Sequence, residues 1–122
     1  MQLTLENPDF RYTLRGADGR GALVNEQRLE TSFILAPNQL IEGWRPRSIA
    51  DLQPHDLNAV LDLSPNVLLL GSGASLVFPP AAVMAACLTR GIGMEVMDNA
   101  AAARTFNVLA TEGRKVVAAF LL

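Results

Sequence analysis

The sequence predicts an α/β fold, a mostly parallel or mixed sheet with helices packed on it, from three observations. Residues 67–70 are four apolar residues in a row and residues 116–121 (VVAAFL) are apolar at both parities, which is how strands covered on both faces are written. From residue 48 onward, helical and strand periods alternate as α-β-α-β-α-β, the order that builds such sheets through right-handed crossovers. Ahead of that, short runs broken by Gly, Pro and Asn make the first third β-rich. At 122 residues the chain fits a single domain, 1–122.

The elements follow in order. Residues 11–15 (RYTLR) and 22–24 read as a hairpin at a sheet edge, its turn glycines, Gly16 and Gly19, relieving positive φ. Residues 31–36 and 40–44 are two further strands separated by Pro37 and Asn38. In 48–63 the apolar residues Ile49, Leu52, Leu57, Val60 and Leu61 recur at helical spacing, with Pro54 in the first turn of a helix ending near Asp62. Residues 80–89 form a helix closed by Arg90 and Gly91, and 93–97 a short strand. The best helix is 98–112, with four consecutive alanines, a stripe of Ala102, Phe106 and Leu109, and Gly113 after it.

Composition narrows the function. Half the residues are hydrophobic, 18% are charged and mean hydropathy is +0.24, as expected of a packed globule. A net charge of -2 and a pI near 5.3 argue against general nucleic-acid binding, although a local basic patch stays open. No charge lies between Leu63 and Thr89, but Pro65, Gly71, Gly73, Pro79 and Pro80 break that stretch too often for a spanning helix, so no membrane insertion is expected. Glu6, Asp9 and Arg11 leave no apolar signal core, so a cytoplasmic protein is expected. Cys87 is the single cysteine and His55 the single histidine, which predicts no disulfide, no metal site and no cofactor.

Candidate sites each have a plainer alternative. Gly71, Ser72 and Gly73 follow a strand and could cradle an anion on backbone N–H groups, or simply turn the chain. The dinucleotide fingerprint fails because Leu76 stands where glycine is required, and no Gly-Lys-Ser/Thr occurs. Asp98, where a strand meets a helix, is either a functional carboxylate or an N-cap. Arg104 and Asn107, three apart, share a helix face and could join that site. Glu95 needs a partner such as Arg90 or Arg104 unless its strand is an edge. Trp44, Arg45 and Arg47 can anchor a protein partner, since Trp and Arg are enriched at binding hot spots, or can form a surface turn. His55 reads as a solvated side chain and Cys87 as a small buried hydrophobe, and no serine sits in a G-x-S-x-G elbow.

Several blocks together resemble a known family: Arg-Gly-Ile at 90–92, Met-Glu-Val-Met-Asp at 94–98, Arg-Thr-Phe-Asn at 104–107 and Glu-Gly-Arg at 112–114, with Gly71, Gly73 and Trp44 in matching places. It is the family of small α/β domains that includes a mitochondrial respiratory complex I assembly factor and an adipogenesis-associated animal protein. The chain departs from its pattern at Asn99, where threonine is usual, and at Ala103, where cysteine often stands. The resemblance implies a three-layer domain with a central mixed sheet, no settled catalytic activity, and assembly or regulation through protein contacts. The absence of a mitochondrial presequence makes a bacterial cytoplasmic relative the expectation. The leading reading is therefore a non-enzymatic binding or assembly module with an unknown protein partner. The second is a small-anion or ligand binder, or an unrecognised enzyme, using Gly71, Ser72 and Gly73. A structural homo-oligomer is the third.

Overall fold

The computed structural model describes residues 11–122. Glu6 and Asp9, on which the expectation about the amino terminus rests, lie outside them. Strands β1 (Leu14–Ala17), β2 (Ala22–Val24) and β3 (Gln27–Leu29) form a small antiparallel sheet. After it come β4 (Phe33–Ala36), β5 (Gln39–Glu42), helix α1 (Asn58–Leu61), β6 (Val67–Gly71), α2 (Ala81–Leu88), β7 (Gly93–Met97), α3 (Asn99–Thr111) and β8 (Val116–Phe120). The second sheet has the order β5-β4-β8-β6-β7. It is mixed: β8 runs parallel to β6 and antiparallel to β4, with Ala118 facing Leu69 on one side and Leu35 on the other.

Strand parity explains why the apolar runs are unbroken. On β4, β6 and β8, residues Phe33, Leu35, Val67, Leu69, Val116, Ala118 and Phe120 face a half-core completed by Ala102, Ala103, Phe106 and Ala110 of α3 and by Leu14, Ala22, Val24 and Leu29 of the small sheet. Their neighbours Ile34, Leu68, Leu70, Val117 and Ala119 face the opposite half-core, with Trp44, Leu57, Val60, Val83 and Cys87. A strand with a core on each side has no polar parity to show. Phe33 and Phe120, cross-strand partners, stack at 4.9 Å between ring centroids. The mixed sheet with helices packed on it is thus the α/β architecture that the alternation predicts.

Three local expectations are corrected. Neither Gly16 nor Gly19 has a positive φ; the β1–β2 turn is instead closed by the Asp18 carboxylate, which accepts from Arg20 N at 2.8 Å and Gly21 N at 3.0 Å. Residues 48–63 are not one helix but two 3-10 turns, Ile49–Asp51 and Pro54–Leu57, followed by the single turn α1. Pro54 offers no N–H and holds Gln53 extended at φ -114°, so the first turn cannot continue into the second. Strand β3 was not expected at all, because Gln27 and Arg28 are exposed and only Leu29 is buried, which leaves no periodic signal.

The ends expected of the two later helices hold, whereas the strands expected at 11–15, 31–36 and 40–44 are Leu14–Ala17, Phe33–Ala36 and Gln39–Glu42. Gly91 and Gly113 follow α2 and α3 at φ +73° and +76°, the left-handed conformation expected after those helices. Glu95 is exposed on β7, an edge strand of the mixed sheet, so its carboxylate is solvated and needs no buried cation. No helix among the described residues is long and apolar enough to cross a membrane.

Candidate functional site

Strands β6, β7 and β8 are parallel, and their carboxyl ends, Gly71, Met97 and Phe120, lie side by side. In open α/β sheets that end is where a crevice for ligands normally forms. Here the chain fills it. Ser72 N donates to Met97 O at 2.8 Å, and Gly73 N to Asn99 Oδ1 at 3.0 Å. The Ser72 hydroxyl lies 2.7 Å from Ser75 O and 3.1 Å from Met97 O and accepts from Val77 N at 3.1 Å. The backbone donors of Ser72 and Gly73 that an anion would use are therefore already engaged by internal partners.

Asn99 is the plug. Fully buried, it accepts from Gly73 N and donates through Nδ2 to Leu121 O at 3.0 Å and Asp18 O at 2.9 Å. One amide so ties the Gly71 loop, the end of β8 and the β1–β2 turn together. The approach is close enough that a Cβ on Gly71 would strike Asn99 Oδ1 and the Phe120 ring, and one on Gly19 would lie 2.5 Å from Ala74 Cβ. Asn99 thus seals this end of the sheet.

The other residues grouped with the loop serve separate ends. Asp98 is the N-cap of α3, its Oδ1 accepting from Ala101 N at 2.8 Å. Asn107 pairs with the β1 backbone, accepting from Leu14 N at 3.1 Å and donating to Leu14 O at 2.6 Å, as a strand would. Arg104 is exposed and forms no hydrogen bond or ion pair among the described residues. Asp98 thus lies beside the Gly71 loop, between Met97, whose O accepts from Ser72 N, and Asn99, whose N donates to Gly73 O, but its carboxylate caps α3, while Asn107 is turned to β1. Cys87 is buried, and burial pushes its thiol up, away from the reactive thiolate.

Trp44, Arg45 and Arg47 also have distinct surroundings. The indole of Trp44 is 8% exposed and donates through Nε1 to Asp56 O at 2.9 Å. Arg45 forks onto Asp56, Nε to Oδ1 at 2.8 Å and Nη2 to Oδ2 at 2.6 Å, and reaches Asp51 Oδ1 through Nη1 at 3.0 Å. The Arg47 side chain is exposed, and its backbone N donates to Asp51 Oδ2 at 3.1 Å.

Hydrogen bonds from Arg45 hold both carboxyls below the usual carboxylate range; burial opposes this at Asp56 and is outweighed. A depressed folded pKa adds stability that is complete above the unfolded value of about 4 and is lost as pH falls through the folded one. The stability difference between the parent and Arg45→Met is therefore expected to be largest near about pH 6 and to shrink as pH falls below about 4. Urea titrations across that range check it; a gap that does not change with pH would mean the ion pairs add nothing.

Beyond the loop lies a surface that residue-by-residue reasoning missed. Leu76, Val77 and Phe78 are 52%, 45% and 65% exposed and Leu88 is 66% exposed. Ala81, Ala85 and Leu88, spaced i, i+4 and i+7, share the solvent face of α2, so that helix is apolar inside and out. The signal was the charge-free stretch from Leu63 to Thr89, longer than β6 and the buried face of α2 require.

A family model described as a protein of unknown function (DUF498/DUF598) matches residues 14–121. The NADH dehydrogenase (ubiquinone) 1 alpha subcomplex assembly factor 3 of Bos taurus is 31% identical over 121 residues, covering 98% of this chain and 65% of the bovine protein. The chain spans between 57% and 65% of the length of the curated relatives it matches. A Xanthomonas campestris protein solved by NMR superposes with a TM-score of 0.85 at 58% identity, covering 99% of this chain and 92% of that one. A Bordetella pertussis protein described as an Mth938-like domain gives 0.77 at 29% identity, over 90% of this chain and 85% of that one.

Proposed function

Because the chain belongs to the DUF498/DUF598 family, some of whose curated relatives are named as assembly factors, we propose that it is a protein-contact module acting in assembly of a larger complex. The observation that carries this reading is the exposed run of Leu76, Val77 and Phe78 continued by the apolar outer face of α2. Three large apolar side chains in sequence, each about half or more exposed, keep a contact area in water that folding alone would have hidden. Its partner is an apolar, uncharged surface on a subunit awaiting incorporation, because no charge between Leu63 and Thr89 is available to recognise a charged one. A subunit of a respiratory NADH dehydrogenase is the first to test, following the names of the relatives.

The test uses the tagged chain and its Phe78→Asp variant. Phe78 is exposed, so the substitution should change stability by no more than about 0.5 kcal/mol. Wild type is expected to retain an NADH dehydrogenase subunit from extract of its native cells, and Phe78→Asp to lose it. Equal retention by the variant, or no such subunit in either sample, would overturn the proposal. A doubled solution mass that returns to the monomer value in Phe78→Asp would instead assign the surface to a second copy.

A further inference from the structure

At the opposite end of the mixed sheet, a cavity of about 330 Å³ opens between the turn joining β4 to β5 and the link joining α3 to β8. Its lining includes the half-buried Ala36, Pro37 and Leu63 and the exposed Gln39. Arg114 and Lys115 complete the lining. Both cations are exposed, and neither forms an ion pair among the described residues. A chain of net charge -2 thus holds two adjacent unpaired cations on the rim of an apolar hollow.

We propose that this cavity is a binding site for a small carboxylate with an apolar body. Size, wall and charge each contribute to the assignment. The volume lies at the lower end of ligand pockets, about 300 to 1,000 Å³, which suits a molecule of the size of an aryl or short acyl acid. The partly exposed apolar side chains of Ala36, Pro37 and Leu63 favour a hydrocarbon body over a bare phosphate. A guanidinium presents the planar fork that a carboxylate matches, and the neighbouring ammonium adds a point charge. The site does not depend on the docking surface, which lies on another part of the molecule.

Inorganic expectations about the Gly71 loop are separated from this site by mapping. Benzoate is the probe and benzyl alcohol its neutral counterpart, titrated into uniformly ¹⁵N-labelled full-length chain and followed by amide shifts. Benzoate is expected to move the amides of Ala36, Asn38, Gln39 and residues 113–117 saturably, with a dissociation constant on the order of 1 mM. Arg114→Gln combined with Lys115→Gln should weaken it about tenfold while the spectrum stays that of a folded chain, since both residues are exposed. Benzyl alcohol binding as tightly as benzoate would overturn the proposal. So would benzoate shifts centred on residues 71–77, undiminished binding by the double variant, or no saturable shift at all.

Discussion

Replacing Trp44 by alanine is expected to lower the unfolding free energy by about 4 kcal/mol, the usual cost of emptying a large aromatic site. The indole sits among Ile34, Leu57 and Val60 in the half-core opposite α3, and its Nε1 donates to Asp56 O at 2.9 Å. Truncation opens a cavity and orphans a carbonyl at once. Urea unfolding should show a lower midpoint at unchanged slope, and the melting temperature should fall by about 10 to 15 °C. Trp44→Phe, which keeps most of the volume and loses the donor, should recover more than half of the loss. A neutral Trp44→Ala would mean that the indole does not pack as described. The same burial makes Trp44 a poor probe of partner binding: its removal reports stability first, whereas Phe78 can be changed without touching the core.

Asn99→Ala should cost about 3 kcal/mol, because it removes three side-chain hydrogen bonds and leaves Gly73 N, Leu121 O and Asp18 O without this partner, Leu121 O in a buried position. Asn99→Asp should cost at least as much, since a carboxylate brings no donor for the two carbonyls. The local readout is hydrogen exchange at the Gly73 amide, which should lose its protection before the amides of β6 and β8 do. If Gly73 stayed protected in Asn99→Ala, the amide would be held by something other than the Asn99 side chain.

What could be read from the residues alone depended on how far apart the interacting groups lie. The two-sided burial of β6 and β8 was legible because it is written in consecutive residues, and the cap at Asp98 because its partner, Ala101, is three residues away. Asn99 was not, since its partners come from residues 18, 73 and 121, which no local pattern connects. The Gly71-Ser72-Gly73 turn looked like a cradle because spacing shows that N–H groups are present, not what occupies them. Leu76, Val77 and Phe78 were hidden in another way: composition records that a stretch is apolar but not which side of it meets water. The resemblance pointed to the family, with which the family model and the curated relatives agree, and to the three-layer arrangement, a mixed sheet with a half-core on each face. Neither the exposed run at 76–78 nor the cavity at Arg114 and Lys115 was among the candidate sites read from the sequence.

The position of β8 has a consequence for the newborn chain. It is the last strand in sequence and the middle one in space, hydrogen-bonded to β4 on one side and β6 on the other. Until it leaves the ribosome, the β4–β5 and β6–β7 pairs have no bonded neighbour to join them, and both half-cores lack a wall. Synthesis of β8 is therefore what closes the sheet, and a chain stalled before Val116 exposes two unpaired strand edges to whatever chaperone or neighbour reaches it first.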